Sequence, residues 1–153
     1  MDLLELTPRW TTVSGQSPDG LPSVIVLDEA AVEQAPWADY PVQIGLGIRL
    51  EQAGPDGQPG PDERPALQEL QEAYAEALAE HGRVVASVTL EGIYELIAYS
   101  RDAHWVEQWQ GGGPPGMAGG HQWEMYLMDD PRWTGLRELA GLLEPGETAV
   151  RPG

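Results

Sequence analysis

The chain has no lysine, no cysteine, no phenylalanine and no asparagine. Without lysine there is no Schiff-base amine, no lysine on a nucleotide phosphate and no lysine general base. Without cysteine there is no thiol nucleophile, no disulfide and no thiolate metal site. Lys, Phe and Asn are encoded by AT-rich codons, so a GC-rich genome accounts for their joint absence. Positive charge is scarce as well. Eight Arg stand against 25 Asp and Glu in 153 residues, for a formal net charge of −17. Such a charge repels nucleic-acid phosphate and an anionic membrane surface, so neither is an expected partner. It suits a basic protein, including one whose nucleic-acid groove is being covered. Solubility and an acidic proteome explain the same charge with no partner at all. No apolar run approaches the about 18 residues of a membrane helix. The start, Met1-Asp2-Leu3-Leu4-Glu5, lacks the basic and apolar parts of a signal peptide. The expected location is the cytoplasm.

What is present is a globular composition. A hydrophobic share of 41% over this length predicts one domain with its own core. Trp10–Val13 and Ser23–Leu27 are β-prone runs flanking the turn-rich Ser14–Gly20, which predicts an N-terminal hairpin over 10–27. Ala30–Tyr40 reads as irregular, with Pro36 breaking any helix. Val42–Leu50 alternates strictly, placing Val42, Ile44, Leu46, Ile48 and Leu50 on one face of a strand. Gly45 and Gly47 leave its other face flat, open to close backbone approach or a large ring. Gly54–Arg64 reads as a mobile acidic loop. Pro65 then opens a helix with Leu67, Leu70, Tyr74, Ala77 and Leu78 inward, Glu69, Glu72, Glu76 and Glu80 outward, and Gly82 as its cap.

Arg83–Leu90 and Ile93–Tyr99 read as a hairpin about Glu91-Gly92. Asp102 caps a short helix through Trp109, and the Gly/Pro stretch Gln110–Gly120 suggests a flexible flap before a strand over His121–Met128. Asp130 and Pro131 start a last helix over 130–143. From 42 to 128 the order is β-α-β-β-α-β. The expected fold is therefore α+β: a ferredoxin-like antiparallel sheet with helices on one face, plus the N-terminal hairpin and C-terminal helix. In that arrangement 42–50 and 93–99 are central strands, and 84–90 and 121–128 are edges unless covered.

Several stretches carry a resemblance. Gly92-Ile93-Tyr94-Glu95-Leu96-Ile97-Ala98-Tyr99 resembles the "Gly-x-Arg-Glu-x-x-x-Tyr" strand of a bacterial family, domain of unknown function 695. Asp130-Pro131-Arg132-Trp133 resembles its "Asp-Pro-x-Trp" element, and the early Trp and Ile25-Val26-Leu27-Asp28 sit in similar places. Tyr94 stands where the pattern has a basic residue, which argues against an anion site on this hairpin. Gly135 and Leu136 follow Trp133 in place of the usual aromatic. The family is similar to ribonuclease E inhibitor B type domains, which are ferredoxin-like acidic regulators. The resemblance implies a binding role by analogy only.

Each candidate site has a plainer structural explanation beside it. Ser100, Asp102 and His104 hold the letters of a hydrolase triad, but crowded together and without a nucleophile elbow they read as a strand end and helix cap. Asp129 and Asp130 suit a metal or acid–base pair, yet capping explains them. His104 and His121 with Asp102 or Glu124 have no metal-ligand spacing. The glycine-rich stretch follows a helix and lacks Lys, so a phosphate loop is not expected. The six Trp fill aromatic core volume in a chain without Phe; an exposed Trp37 and Tyr40 would instead suit a partner hot spot.

The expected function is a non-catalytic protein-interaction or regulatory module, with Glu69, Glu72, Glu76 and Glu80 facing a basic partner. No cofactor or metal is expected. One alternative is a toxin- or nuclease-neutralising protein whose acidic surface mimics phosphate. Another is a small-ligand binder or enzyme with a cleft near Tyr94, Tyr99, His104 and Asp129. A free edge at 121–128 would allow a homodimer by sheet extension.

Overall fold

The structure, a computed structural model, describes residues 2–16, 18–109 and 121–141. Strands β1 (Trp10–Gln16), β2 (Pro22–Asp28), β3 (Val42–Arg49), β4 (Gly82–Leu90), β5 (Ile93–Ser100) and β6 (Trp123–Asp129) form one sheet. Its order is β1-β2-β4-β5-β3-β6. Every neighbouring pair is antiparallel. Among the described residues three helices accompany it: α1 (Glu29–Glu33), α2 (Arg64–Leu78) and α3 (Thr134–Gly141). Leu3–Glu5 and His104–Trp109 are 3-10 turns. No helix among the described residues is long and apolar enough to cross a membrane.

β3 and β5 lie inside the sheet, and β4 is covered by β2 of the N-terminal hairpin, which leaves β1 and β6 as the edges. Helices cover both faces, not one. The alternation of β3 turns Ile44, Leu46 and Ile48 to the first face. There they meet Leu67, Leu70, Tyr74 and Leu78 of α2, together with Trp105, Val106 and Trp109. The second face packs Tyr99, Ile97 and Val85 under α1, α3 and the N-terminal turn through Ala31, Leu136, Trp133 and Leu3.

Four local expectations change. The segment after β2 begins with a helix, because buried Asp28 accepts the N–H groups of Ala30 (3.1 Å) and Ala31 (3.4 Å) and caps α1. Gly82 does not cap α2 but opens β4. A Cβ there would lie 2.0 Å from the Tyr99 carbonyl, so only glycine permits this approach to β5. The 54–64 segment is pinned rather than loose. Gln58 donates its side-chain amide to Pro22 O and Thr89 O, and Gly54 N and Gly57 N bond within the loop. The last helix starts at Thr134, after a turn in which Trp133 takes a left-handed φ of 57°. Leu143 and the glycine-rich 110–120 stretch lie outside the described residues.

Candidate functional site

The expected cleft does not assemble. Tyr94 and Tyr99 are an odd number of residues apart on β5, so they point to opposite faces. Tyr94 lies on the first face and donates its hydroxyl to Gln71 Oε1 of α2 at 2.7 Å. Burial pushes its pKa up to about 12. Tyr99 lies on the second face, while His104 and Asp129 are exposed elsewhere. The triad letters are likewise separate in function. Ser100 Oγ lies 2.7 Å from the Asp102 carbonyl and 3.2 Å from that of His81, and receives Trp105 Nε1 at 3.0 Å. Asp102 accepts the His104 backbone N–H at 3.2 Å, which is a cap contact.

What the second face does assemble is a buried polar network. Tyr99 donates its hydroxyl to Asp130 Oδ2 at 2.6 Å. It accepts from Gln43 Nε2 at 2.8 Å and from the Leu136 N–H at 3.3 Å. Gln43 in turn accepts the Tyr126 hydroxyl at 3.2 Å. Asp130 also receives Thr134 N and Gly135 N, both at 2.9 Å, so it caps α3 from outside the helix. Trp133 stacks on Tyr99 with ring centroids 3.8 Å apart and donates its indole N–H to Tyr40 O at 2.9 Å. Left-handed backbone at a non-glycine residue costs about 1–3 kcal/mol. These contacts hold Trp133 in it. Desolvation, then the bond to Asp130, raises the Tyr99 pKa beyond the ordinary phenol range. The hydroxyl therefore stays protonated and available as a donor. Gly45 belongs to the same arrangement. A Cβ there would fall 1.9 Å from the Tyr126 ring, so the glycine makes room for a large ring, as expected for this face of β3.

A second buried polar group joins the N-terminal segment to the sheet. Arg83 donates to the carbonyls of Leu3 (2.7 Å) and Leu6 (2.6 Å) and pairs with Asp28 at 3.2 Å. Asp28 is fully buried and also accepts Arg9 N at 3.0 Å. Gln43 and Arg83 carry no motif in the sequence. Their signal is a long polar residue near the start of a mainly apolar strand.

Trp37 and Tyr40 are buried and are not an exposed hot spot. The Trp37 indole donates to Ala31 O at 2.9 Å, and Tyr40 bonds Asp2 and receives Arg101 at 2.9 Å. Burial first, then the Asp2 carboxylate, pushes the Tyr40 pKa up to about 12. Glu69, Glu72, Glu76 and Glu80 do face solvent. Among the described residues, three of the four large exposed apolar side chains lie on edge strand β6, where Tyr126, Leu127 and Met128 are 41%, 46% and 45% exposed; the fourth, Trp10, is 45% exposed on β1. Beside the β6 side chains a cavity of about 250 Å³ is lined by Val106, Glu107, Trp109, Trp123, Met125 and Leu127.

The histidines do not pair. His121 Nε2 lies 2.9 Å from Glu63 Oε2 and 3.7 Å from Glu51 Oε1, not beside His104, Asp102 or Glu124. Glu63 is buried and accepts Glu51 N (2.7 Å) and Gln52 N (2.8 Å). Desolvation pushes its carboxyl upward. The two backbone N–H groups and His121 outweigh that and hold it below the ordinary Glu value. Among the described residues this is the group of His and carboxylates able to converge on a cation.

No curated protein and no solved structure matches the chain. A family model described as "Family of unknown function (DUF695)" matches residues 8–139. That span holds the polar side chains of both groups on the second face, from Asp28 and Arg83 to Tyr99 and Asp130, but not the Leu3 and Leu6 carbonyls that Arg83 binds. The chain belongs to this family of unknown function.

Proposed function

We propose that the chain is a non-catalytic protein-interaction module that uses the free side of β6 to pair with an extended, basic segment of a partner polypeptide. The observation that carries this reading is the concentration of exposed Tyr126, Leu127 and Met128 on an edge strand whose outer side pairs with no described strand. An edge strand offers unpaired backbone groups, and flanking pockets read alternate side chains. The cavity between β6 and the 104–109 turn supplies such a pocket on one face. The net charge of −17 favours a cationic segment and repels copies of the chain from one another. The four strands β4-β5-β3-β6, with α2 and the 104–109 turn on one face, are read as a ferredoxin-like frame carrying the docking edge. Antiparallel pairing with β3 and β5 inside supports that reading.

The test is affinity capture from the source organism at low and high salt, with the wild-type chain and a Leu127→Asp, Met128→Asp variant. A cationic protein retained by wild type at low salt, reduced at high salt and lost by the variant is the expected result. Equal capture by both chains overturns the edge as the docking surface. A wild-type dimer in light scattering that the variant abolishes assigns the edge to self-association and overturns the partner reading.

A further inference from the structure

We propose that Glu51, Glu63 and His121 form a binding site for a divalent transition-metal ion of the zinc class. The residues come from three separate segments: the end of β3, the residue before α2 and the approach to β6. One ligand atom from each lies within 4.8 Å of the others. Zinc binds His nitrogen at about 2.0–2.1 Å and carboxylate oxygen at about 2.0–2.2 Å, so tetrahedral neighbours sit about 3.3 Å apart. The 2.9 Å and 3.7 Å separations from His121 Nε2 to the two carboxylates bracket that spacing. The two carboxylate oxygens lie within 4.8 Å of each other, so an ion would draw them together by side-chain movement.

The donor set decides the kind of ion. One imidazole nitrogen with carboxylate oxygens suits zinc and its neighbours in the first transition row. Calcium and magnesium prefer oxygen throughout. The surroundings already do what the outer shell of a metal site does. Glu51 N and Gln52 N hold the Glu63 carboxylate in place, one on each oxygen. A cation that replaced the His121 contact on Oε2 would leave both backbone bonds intact. The charge balance also asks for a cation. Two carboxylates converge here, and among the described residues neither has an Arg within ion-pair distance; the group that each meets is the His121 ring. The His121 side chain is only 9% exposed, whereas Glu51 is 55% exposed, so the site is anchored on the inside and open to solvent on one side. That leaves a coordination position for water or a ligand atom.

The test uses the purified full chain stripped with chelator, titrated with zinc by calorimetry and with cobalt(II) by visible absorption. Saturable binding of one ion, with a tetrahedral cobalt spectrum, is the expected result. Glu51→Gln should weaken binding by about tenfold or more, the scale on which single partners tune metal affinity. His121→Ala should abolish the cobalt spectrum, and Glu76→Gln on α2 should change neither readout. Glu51 is exposed, so its variant keeps the fold even if His121→Ala does not. No saturable binding, or binding that Glu51→Gln leaves unchanged, overturns the site and assigns any uptake to the acidic surface at large.

Discussion

The two faces of the sheet are built on different principles. The first face is mainly apolar: aliphatic residues of β3, β4 and β5 meet the leucines of α2 and the indoles of Trp105 and Trp109, and its buried polar strand residues, Ser87, Thr89 and Ser100, are small and uncharged. The second face buries Asp28, Gln43, Tyr99 and Asp130 as well as apolar side chains. A polar group left unsatisfied in a core costs about 1–3 kcal/mol, so a buried network survives only when each member is partnered. The second face meets that condition by tying distant segments together. Arg83 and Asp28 fasten the N-terminal segment, and Tyr99 and Asp130 fasten α3. Asp28, Tyr99, Asp130 and Trp133, which lie in stretches that resemble family motifs, sit there. Their geometry accounts for them as anchors of added elements.

The largest effect should come from breaking the first anchor. Arg83→Ala removes two bonds to backbone carbonyls and leaves the fully buried Asp28 charge without its cation. Removing one partner of a buried pair costs about 3–5 kcal/mol. Urea unfolding should show a fall of that size. A loss below about 1 kcal/mol, within the range of exposed pairs, would mean that the N-terminal segment is not held this way.

Breaking the second anchor should cost less. Asp130→Ala removes the cap of α3, worth about 1 kcal/mol, and strips the Tyr99 hydroxyl of its acceptor. The sum is about 2–3 kcal/mol. Tyr99→Phe alone should cost about 1–2 kcal/mol. The double variant should cost less than the two added together, because both remove the same bond. Additive losses would show that the 2.6 Å contact is not energetically coupled.

At the rim between the faces, Glu63 should make stability depend on acid. Its pKa is depressed in the folded chain, so the stabilisation is fully present above the ordinary Glu value of about 4.3. It is lost as pH falls through the lower, folded value. Wild type should lose stability on acidification over that window. Glu63→Gln should be less stable at neutral pH and lose less on acidification. Parallel pH profiles for the two chains would remove Glu63 from the acid response.

The apolar face was the legible one. Period-2 alternation in 42–50 and the helical spacing of Leu67, Leu70, Tyr74 and Leu78 each state a face by themselves, and the packing follows. The sheet edges were harder, because a local pattern says nothing about which strand a hairpin will extend; β2 covers β4 through contacts more than fifty residues apart in sequence. The polar face was least legible. Gln43, Arg83 and Glu63 act through partners that only the fold brings near. The proposed cleft failed for a reason already written in the strand: 94 and 99 differ in parity. Asp130 is a cap, as its place before Pro131 implies, yet the helix starts at Thr134, after Trp133 turns back to stack on Tyr99.

The smallest effect should have the opposite sign, and it sharpens the contrast between the faces. Tyr74 is fully buried on the apolar face, and its hydroxyl has no partner among the described residues. Burial raises its pKa beyond the ordinary phenol range, so the group stays neutral, but the oxygen is still desolvated without a bond. Its ring is well used, packing against Trp109 with centroids 5.8 Å apart. The hydroxyl is the part that contributes nothing. A chain without Phe must fill such a place with Tyr. Tyr74→Phe keeps the ring contact and removes the unsatisfied oxygen, so it should stabilise the fold by about 1 kcal/mol. The same chemical change at Tyr99 should destabilise it. Two Tyr→Phe variants shifting urea midpoints in opposite directions would establish that the faces differ in their demand for polarity. A loss at Tyr74 would show that its hydroxyl has a partner in solution, and that the first face is less apolar than its packing indicates.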